Sequence, residues 1–398
     1  MLLEIGQLLS AAGSASTAIV YPLLVLAITH SPAKAGVVGF VRMLPYALFG
    51  LLAGVAADRW NRRRLMLAAD SVRALAIGAF GVAILAGRVA FWQIPIVGFI
   101  EGTGTTFFFA AQQGALRAVV PARQLPAAVG VRGARVAGVR LGGPPLGGAL
   151  FGIGRSVPFL VDMASYAFSF VSLLAMRTPF QEARERTSAR LRSEIREGFH
   201  FLWTQPFQRT TAFLYGLGNF IMLGVLLVLV VVGRRQGLSG GAIGALVGAL
   251  GAGALVGSLG SPLFRRALSI RTILLLELWT WLGCWVFVAE PNVYALLAIV
   301  VPFGIAAPVT DSVVEGYRVA MTPDRLVGRV EAARSTISLV TAPLGPLLAG
   351  FLLGAVSARA TVTVFAAFGL LLALWGTLSP AIRAAPSLDE LEAQRGVA

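Results

Sequence analysis

The sequence predicts an all-α membrane protein, with twelve transmembrane helices in two pseudo-symmetric six-helix bundles. Three observations carry that prediction. The 398 residues are 57% hydrophobic and only 13% charged, with a mean hydropathy of +0.80, too little polar surface to cover a soluble globule. Apolar stretches long enough to cross a bilayer core of about 30 Å recur along the whole chain. The second half also repeats the first. Gly54, Asp58, Arg62 and Arg63 return 203 residues later as Gly257, Ser261, Arg265 and Arg266. With a shift of 202, Pro121, Arg123, Arg132, Gly143, Pro144 and Gly148 return as Pro323, Arg325, Arg334, Gly345, Pro346 and Gly350.

The first bundle, residues 1–176, holds apolar stretches over about 5–29, 36–57, 64–86, 90–111, 127–151 and 157–176. They are continuous rather than alternating, so they read as helices, the form that satisfies every backbone amide inside lipid. The first carries Glu4 and no basic residue ahead of its apolar run, unlike a signal peptide, and reads as an uncleaved helix. Residues 177–209 form a polar linker. Within it Leu191, Ile195, Phe199, Leu202 and Trp203 recur at near-helical spacing between charged residues, which suits an amphipathic strap at the cytoplasmic membrane surface. The second bundle, 210–378, holds stretches at 210–232, 241–261, 271–289, 293–314, 330–354 and 361–378. The polar tail 379–398 has too little apolar content to fold alone and is expected to be disordered.

The net charge of +15 is explained by its placement. With the N-terminus in the cytoplasm, the inner turns carry twenty-one arginines against six basic residues outside: Lys34, Arg88, Arg155, Arg234, Arg235 and Arg359. That bias places both termini in the cytoplasm and removes nucleic acid as a partner. Cys284, the single cysteine, excludes an intrachain disulfide. His30 and His200, the two histidines, leave a histidine-based metal centre or a Ser-His pair in the membrane unsupported. The single lysine, Lys34, follows Ala33, so there is no phosphate-binding Gly-Lys-Ser/Thr loop. Neither an enzyme nor an ATP-driven pump is expected, and no cofactor or metal. Duplicated bundles of this kind instead suit a transporter, a monomer whose partners are a small-molecule substrate, protons and the lipid bilayer.

Gly54-x-x-x-Asp58-Arg59-x-x-Arg62-Arg63, in the turn between the second and third spans, resembles the signature loop of the major facilitator superfamily. Its surroundings, with DMASYAFSFVSLLA in the sixth span and IREGFHFLWTQP before the seventh, are similar to the enterobactin-exporter and macrolide-efflux branch, the transmembrane secretion effectors. The resemblance covers nearly the whole chain. It implies the major facilitator fold in the bacterial plasma membrane, alternating access, and cargo such as siderophores, macrolides, drugs or secondary metabolites, exported by proton antiport. It also implies that Asp58 latches the two halves on the cytoplasmic side, with the start of the eleventh span, Arg329 to Arg334, as partner. Gly54 is expected to let two helices approach closely. The fifth span's GGPPLGG is similar to the exporters' antiporter motif; Gly143, Pro144, Pro145, Gly147 and Gly148 are read as a helix-kink and tight-packing element.

Charges inside the spans are the remaining candidates. Glu101 lies about ten residues into the fourth span, roughly 15 Å deep at ~1.5 Å per residue. Because an acid there is costly, it must face water, find a partner or carry a proton. Glu101 is the candidate proton carrier, and Arg140, about 20 Å into the fifth span, its candidate partner. The family has an arginine four residues before a glycine in the fourth span, whereas Gly98 holds that place before Gly102. Asp70 and Arg73 are expected to neutralise each other, and Arg42 and Asp162 to pair across helices. Arg132 and Arg135 are read as reaching the cytoplasmic boundary. Asp311 and Glu315, with Arg334, are candidates for gate support, while Glu277 is assigned a structural role. Trp279, Trp281 and Trp285 are expected to face lipid. A proton-coupled importer of a small solute is the main competing reading, and a membrane enzyme or inert scaffold the remote one.

Overall fold

The computed structural model describes residues 2–119, 125–176, 191–323 and 326–385, and among them every regular element is helical. The first set is α1 (Leu2–Thr29), α2 (Pro32–Arg59), α3 (Arg62–Leu85), α4 (Gln93–Val119), α5 (Leu125–Ile153) and α6 (Val157–Ala175). After α7 (Leu191–Thr204) come α8 (Pro206–Arg235), α9 (Gly240–Ala267), α10 (Ile270–Trp279), α11 (Gly283–Ala289) and α12 (Leu297–Met321). The chain closes with α13 (Val327–Thr341), α14 (Leu344–Ala355), α15 (Ala358–Leu378) and the single turn α16 (Pro380–Arg383). The ninth span is therefore broken into α10 and α11 and the eleventh into α13 and α14, which leaves twelve crossings. Among the described residues, eleven of them are long and apolar enough to cross a membrane. The other is α5, of similar length, which carries Arg132, Arg135 and Arg140 and the Gly-Pro run.

Most helices outrun their apolar stretches by about a turn. The reason is polar capping beyond the lipid: Ser31, Asn61, Ser239, Ser269 and Ser357 each accept a hydrogen bond from a first-turn amide, at 3.0–3.3 Å. Each satisfies one of the amides that a helix start leaves without a partner.

The sequence repeat is also a repeat of contacts. A Cβ on Gly143 would lie 2.5 Å from that of Ala15 on α1, and one on Gly345 would lie 2.0 Å from the Phe220 carbonyl oxygen on α8. Each half thus packs its fifth span on its first through the same glycine.

Two expectations are corrected here. Trp281 does not face lipid: it is 1% exposed, with its ring 4.9 Å from that of Phe303. The 3-10 turn Thr280–Leu282 sets the Trp281 side chain against Gly369, where an added Cβ would lie 2.5 Å from the Trp281 Cβ and 2.9 Å from the indole. Trp279 donates to Thr377 at 3.2 Å, and Trp285 stays exposed. The tail is helical at Pro380–Arg383, with Ile382 buried; its remainder from 386, like 177–190 of the linker, Arg123 and Arg325, lies outside the described residues. Of the linker, α7 packs Phe199, Phe201 and Leu202 onto Ala212 of α8 and Leu326, Val330 and Ala333 at α13, so this apolar face is covered by protein.

Candidate functional site

The two halves meet along two seams at the end marked by His30. A Cβ on Gly148 of α5 would lie 2.0 Å from the Gly240 carbonyl oxygen of α9, and one on Gly350 of α14 would lie 2.6 Å from the Pro32 oxygen and 2.8 Å from Gly36 Cα of α2. These are again the same contact in the two repeats. The first seam continues inward, where a Cβ on Gly244 would reach the Pro144 oxygen at 2.2 Å and one on Gly251 the Arg140 carbonyl carbon at 2.5 Å. The GGPPLGG motif accordingly works as a two-sided packing face, with Gly143 and Gly147 on α1 and Pro144, Pro145 and Gly148 on α9, within a helix that runs on unbroken. Toward the other end the seams part. A Cβ at Gly50 would be 3.9 Å from Leu339, and at Gly54, Gly133 or Gly138 it would meet nothing within 4 Å. The expected close approach at Gly54 is thus absent in this conformation, because α2 has left the opposing half by that point.

The basic turn sits at the parted end. Asp58, with a side chain 70% exposed, pairs with Arg62 of its own turn at 3.6 Å. The expected latch to the start of α13 is not formed: Arg334 makes a bidentate pair with Glu331, at 2.9 and 3.0 Å, and Arg329 pairs with Glu197 of α7. Sequence reasoning missed a second task of the arginines. Arg62 donates to the Ala57 oxygen at 3.1 Å, and Arg63 to the Leu173 and Leu174 oxygens at 3.0 and 2.7 Å, capping the ends of α2 and α6. Cations suit those helix C-termini. Arg59 is exposed at the end of α2.

In the first half every buried acid has a partner. Glu101, 1% exposed, is held by Arg42 of α2 through two hydrogen bonds, Nε to Oε2 at 3.1 Å and Nη2 to Oε1 at 2.8 Å. This corrects both expected pairings, of Glu101 with Arg140 and of Arg42 with Asp162. The cause lies in α4 itself: a Cβ on Gly98 would touch Arg42 Cβ at 3.4 Å and one on Gly102 would meet the Arg42 oxygen at 2.3 Å. The two glycines flanking Glu101 let α2 lie close enough for its guanidinium to arrive. Asp162 instead accepts from Thr17 at 2.9 Å and Ser165 at 3.2 Å. Asp70 pairs with Arg73 as expected and also accepts from Ser169 at 2.8 Å, while the Arg73 guanidinium lies over Phe108 and Tyr166 at 4.5 and 4.3 Å. Arg135 reaches Gln7 at 3.1 Å. The Arg132 side chain lies outside the described residues.

The second half is built differently. A cavity of about 690 Å³ opens among α8, α10, α12 and α13, with Gly133 of α5 on its rim. Its polar lining includes Glu277, Asp311, Glu315, Arg318 and Arg334, between Leu214, Leu274, Leu278 and Val314. Arg318 pairs with Glu315 and Glu331. Arg334 also lies over the Tyr215 ring at 4.8 Å. Arg140 is exposed on α5, and Glu101 is held by Arg42 in its place. Glu277, expected to be structural, lines this cavity because α10 presents it between α8 and α12.

Volume, apolar walls and a few convergent charges suit a drug-sized organic molecule. Among the described residues no group of three or more His, Cys, Asp or Glu side chains could hold a metal ion.

Comparison with known proteins agrees with this architecture. The sequence model of the family described as transmembrane secretion effectors matches residues 2–395. Among curated relatives, the multidrug efflux pump Tap of Mycolicibacterium fortuitum is 28% identical over 96% of both chains. The macrolide efflux protein A of Streptococcus pyogenes is 30% identical over 29% of each. Among solved structures, a bacterial homologue of the human lysosomal transporter Spinster, in an inward-facing and unoccupied conformation, superposes with a TM-score of 0.76 at 16% identity over 96% of both chains. A bacterial homologue of the iron transporter ferroportin in an inward-facing state gives 0.70 at 16% identity, covering 94% of this chain and 97% of that one. With the duplicated bundles, the glycine seams and the family match together, the chain belongs to the transmembrane secretion effectors, membrane transporters of the major facilitator superfamily and not enzymes.

Proposed function

We propose that this protein exports an amphipathic small molecule across the bacterial plasma membrane by alternating access, in exchange for protons. One observation carries the reading: the halves are sealed through paired glycines at one end and parted at the other, where Asp58 stands exposed. On the arginine distribution the parted end faces the cytoplasm, the side from which an exporter loads. Efflux proteins among its relatives support the direction.

In the return step the basic turn closes. Asp58 then leaves Arg62 for the first half of α13, where Arg329 and Arg334 stand, and Gly54 meets the helix it now lacks. Latch contacts of this type contribute about 0.3 to 1 kcal/mol, up to ~2 when partly buried, weak enough to reopen. Proton coupling belongs to Glu101 with Arg42. A proton on the carboxylate removes the charge that holds the guanidinium, and α2 and α4, which carry the pair, can then shift against each other.

Reconstituted protein under an imposed pH gradient tests this. Wild type should move cargo uphill from the side of the basic turn, and Glu101→Gln should move it only downhill. Uphill transport by Glu101→Gln would remove the proton assignment. Uptake into intact cells, with none into everted vesicles, would replace export by import.

A further inference from the structure

We infer that the cavity in the second half is a cation subsite: Glu277, supported by Asp311 and Thr310, receives the positively charged head of a lipophilic organic cation. The inference deepens the export reading and rests on it for the statement that the occupant is cargo.

The argument starts from the pairing of charges. In the first half Glu101, Asp70 and Asp162 all have hydrogen-bonded partners. In the second half Arg318 is taken by Glu315 and Glu331, and Arg334 by Glu331. Neither guanidinium forms an ion pair with Glu277 or Asp311, and among the described residues no other group does. Asp311 still feels Arg334 and Arg140 at longer range. Glu277 shares the cavity lining with Thr310 and Asp311.

A second feature points into the same space. Thr310 is 7% exposed and lines the cavity. Its hydroxyl faces Glu277 yet makes no hydrogen bond of normal length. A buried hydroxyl left in that state is uncommon and calls for an occupant. Two carboxylates outside any ion pair and one unsatisfied hydroxyl converge on a recess whose apolar walls include Leu274, Leu278 and Val314. An inorganic cation would leave those apolar walls unused, whereas an organic cation with hydrophobic substituents satisfies walls and carboxylates together. An anion is disfavoured by the same two acids.

The matched ions tetraphenylphosphonium and tetraphenylborate separate charge from shape. Equilibrium dialysis against the purified full-length protein should show saturable binding of the phosphonium and at least about tenfold weaker binding of the borate, the scale of one charge-assisted contact. Glu277→Gln and Asp311→Asn should each weaken the phosphonium by a similar factor while melting like wild type. Glu290→Gln, on an exposed turn at the His30 end, should leave it unchanged.

Equal binding of the two ions, no phosphonium binding, or unaltered affinity in both cavity variants would overturn the inference. That last result is expected of a Glu277 that is simply protonated and structural. Reconstituted transport of a neutral macrolide keeps the two readings apart. If it is pumped while phosphonium binding ignores Glu277, only the subsite falls; if no compound is pumped, the export reading falls.

Discussion

The Arg42–Glu101 pair shows what a single buried charge requires of its neighbours. An acid near the middle of a membrane helix is tolerated when a cation reaches it, and here that depends on Gly98 and Gly102 admitting the backbone of α2. The pair should therefore be lopsided under mutation. Arg42→Ala leaves a buried carboxylate alone and should cost about 3 to 5 kcal/mol, read as a lower midpoint of thermal unfolding in detergent. Replacing both residues with Met should recover most of that loss, since a well-packed apolar pair can match a buried ion pair. If Arg42→Ala melts like wild type, Glu101 does not depend on this guanidinium. The sequence shows the need for a partner, and Gly98-x-x-x-Gly102 beside Glu101 was legible as a close-packing signal. Which arginine would come was not legible, because that depends on which helix packs there, and Arg140 lay at a comparable depth. Glu277 escaped for a related reason: its place in the chain assigns it to a peripheral span, but not to the face that α10 turns toward α12.

Hydropathy recovers the helices because lipid imposes one requirement on all of them, an internally satisfied backbone. It misses the points where a helix breaks while staying apolar, as between α10 and α11, and where it continues under polar caps such as Asn61 and Ser357. It also describes an amphipathic helix without naming the surface it covers. The apolar face of α7 is a case. Leu202 is 1% exposed in a cluster with Val330 and Ala333, while the neighbouring Trp203 is 55% exposed. Leu202→Ala should accordingly destabilise by about 2 to 5 kcal/mol, measured by unfolding in detergent. Trp203→Ala should cost clearly less there and weaken contact with lipid instead. Equal losses would mean that α7 is held by the membrane rather than by α8 and α13.

At the scale of the molecule, the repeat in the sequence becomes a mechanical statement. Gly148 against Gly240 and Gly350 against Gly36 are equivalent contacts on opposite sides of the gap between the halves. If the halves tilt as rigid bodies, the seal at this end and the opening at the basic turn are one coordinate, so a wedge at the seal must close the far end. Gly148→Leu supplies the wedge, since even its Cβ would fall 2.0 Å from a backbone oxygen. Overpacking of this kind costs about 1 to 3 kcal/mol, which shifts the ratio of two states by roughly 5- to 150-fold. Spin labels placed near Asp58 on α2 and near Arg329 on α13 report the far end. Gly148→Leu should move their distance distribution toward a shorter population, and Gly350→Leu should do the same by symmetry. Gly152→Leu, where a Cβ meets nothing within 4 Å, should not. A thiol reagent applied from the His30 side should meanwhile gain access to a cysteine introduced at Gly241, where a Cβ would meet its nearest atoms only at 3.8 Å. Access gained there with the far distance unchanged would mean that each end bends locally, and the two bundles would no longer count as rigid partners in one motion.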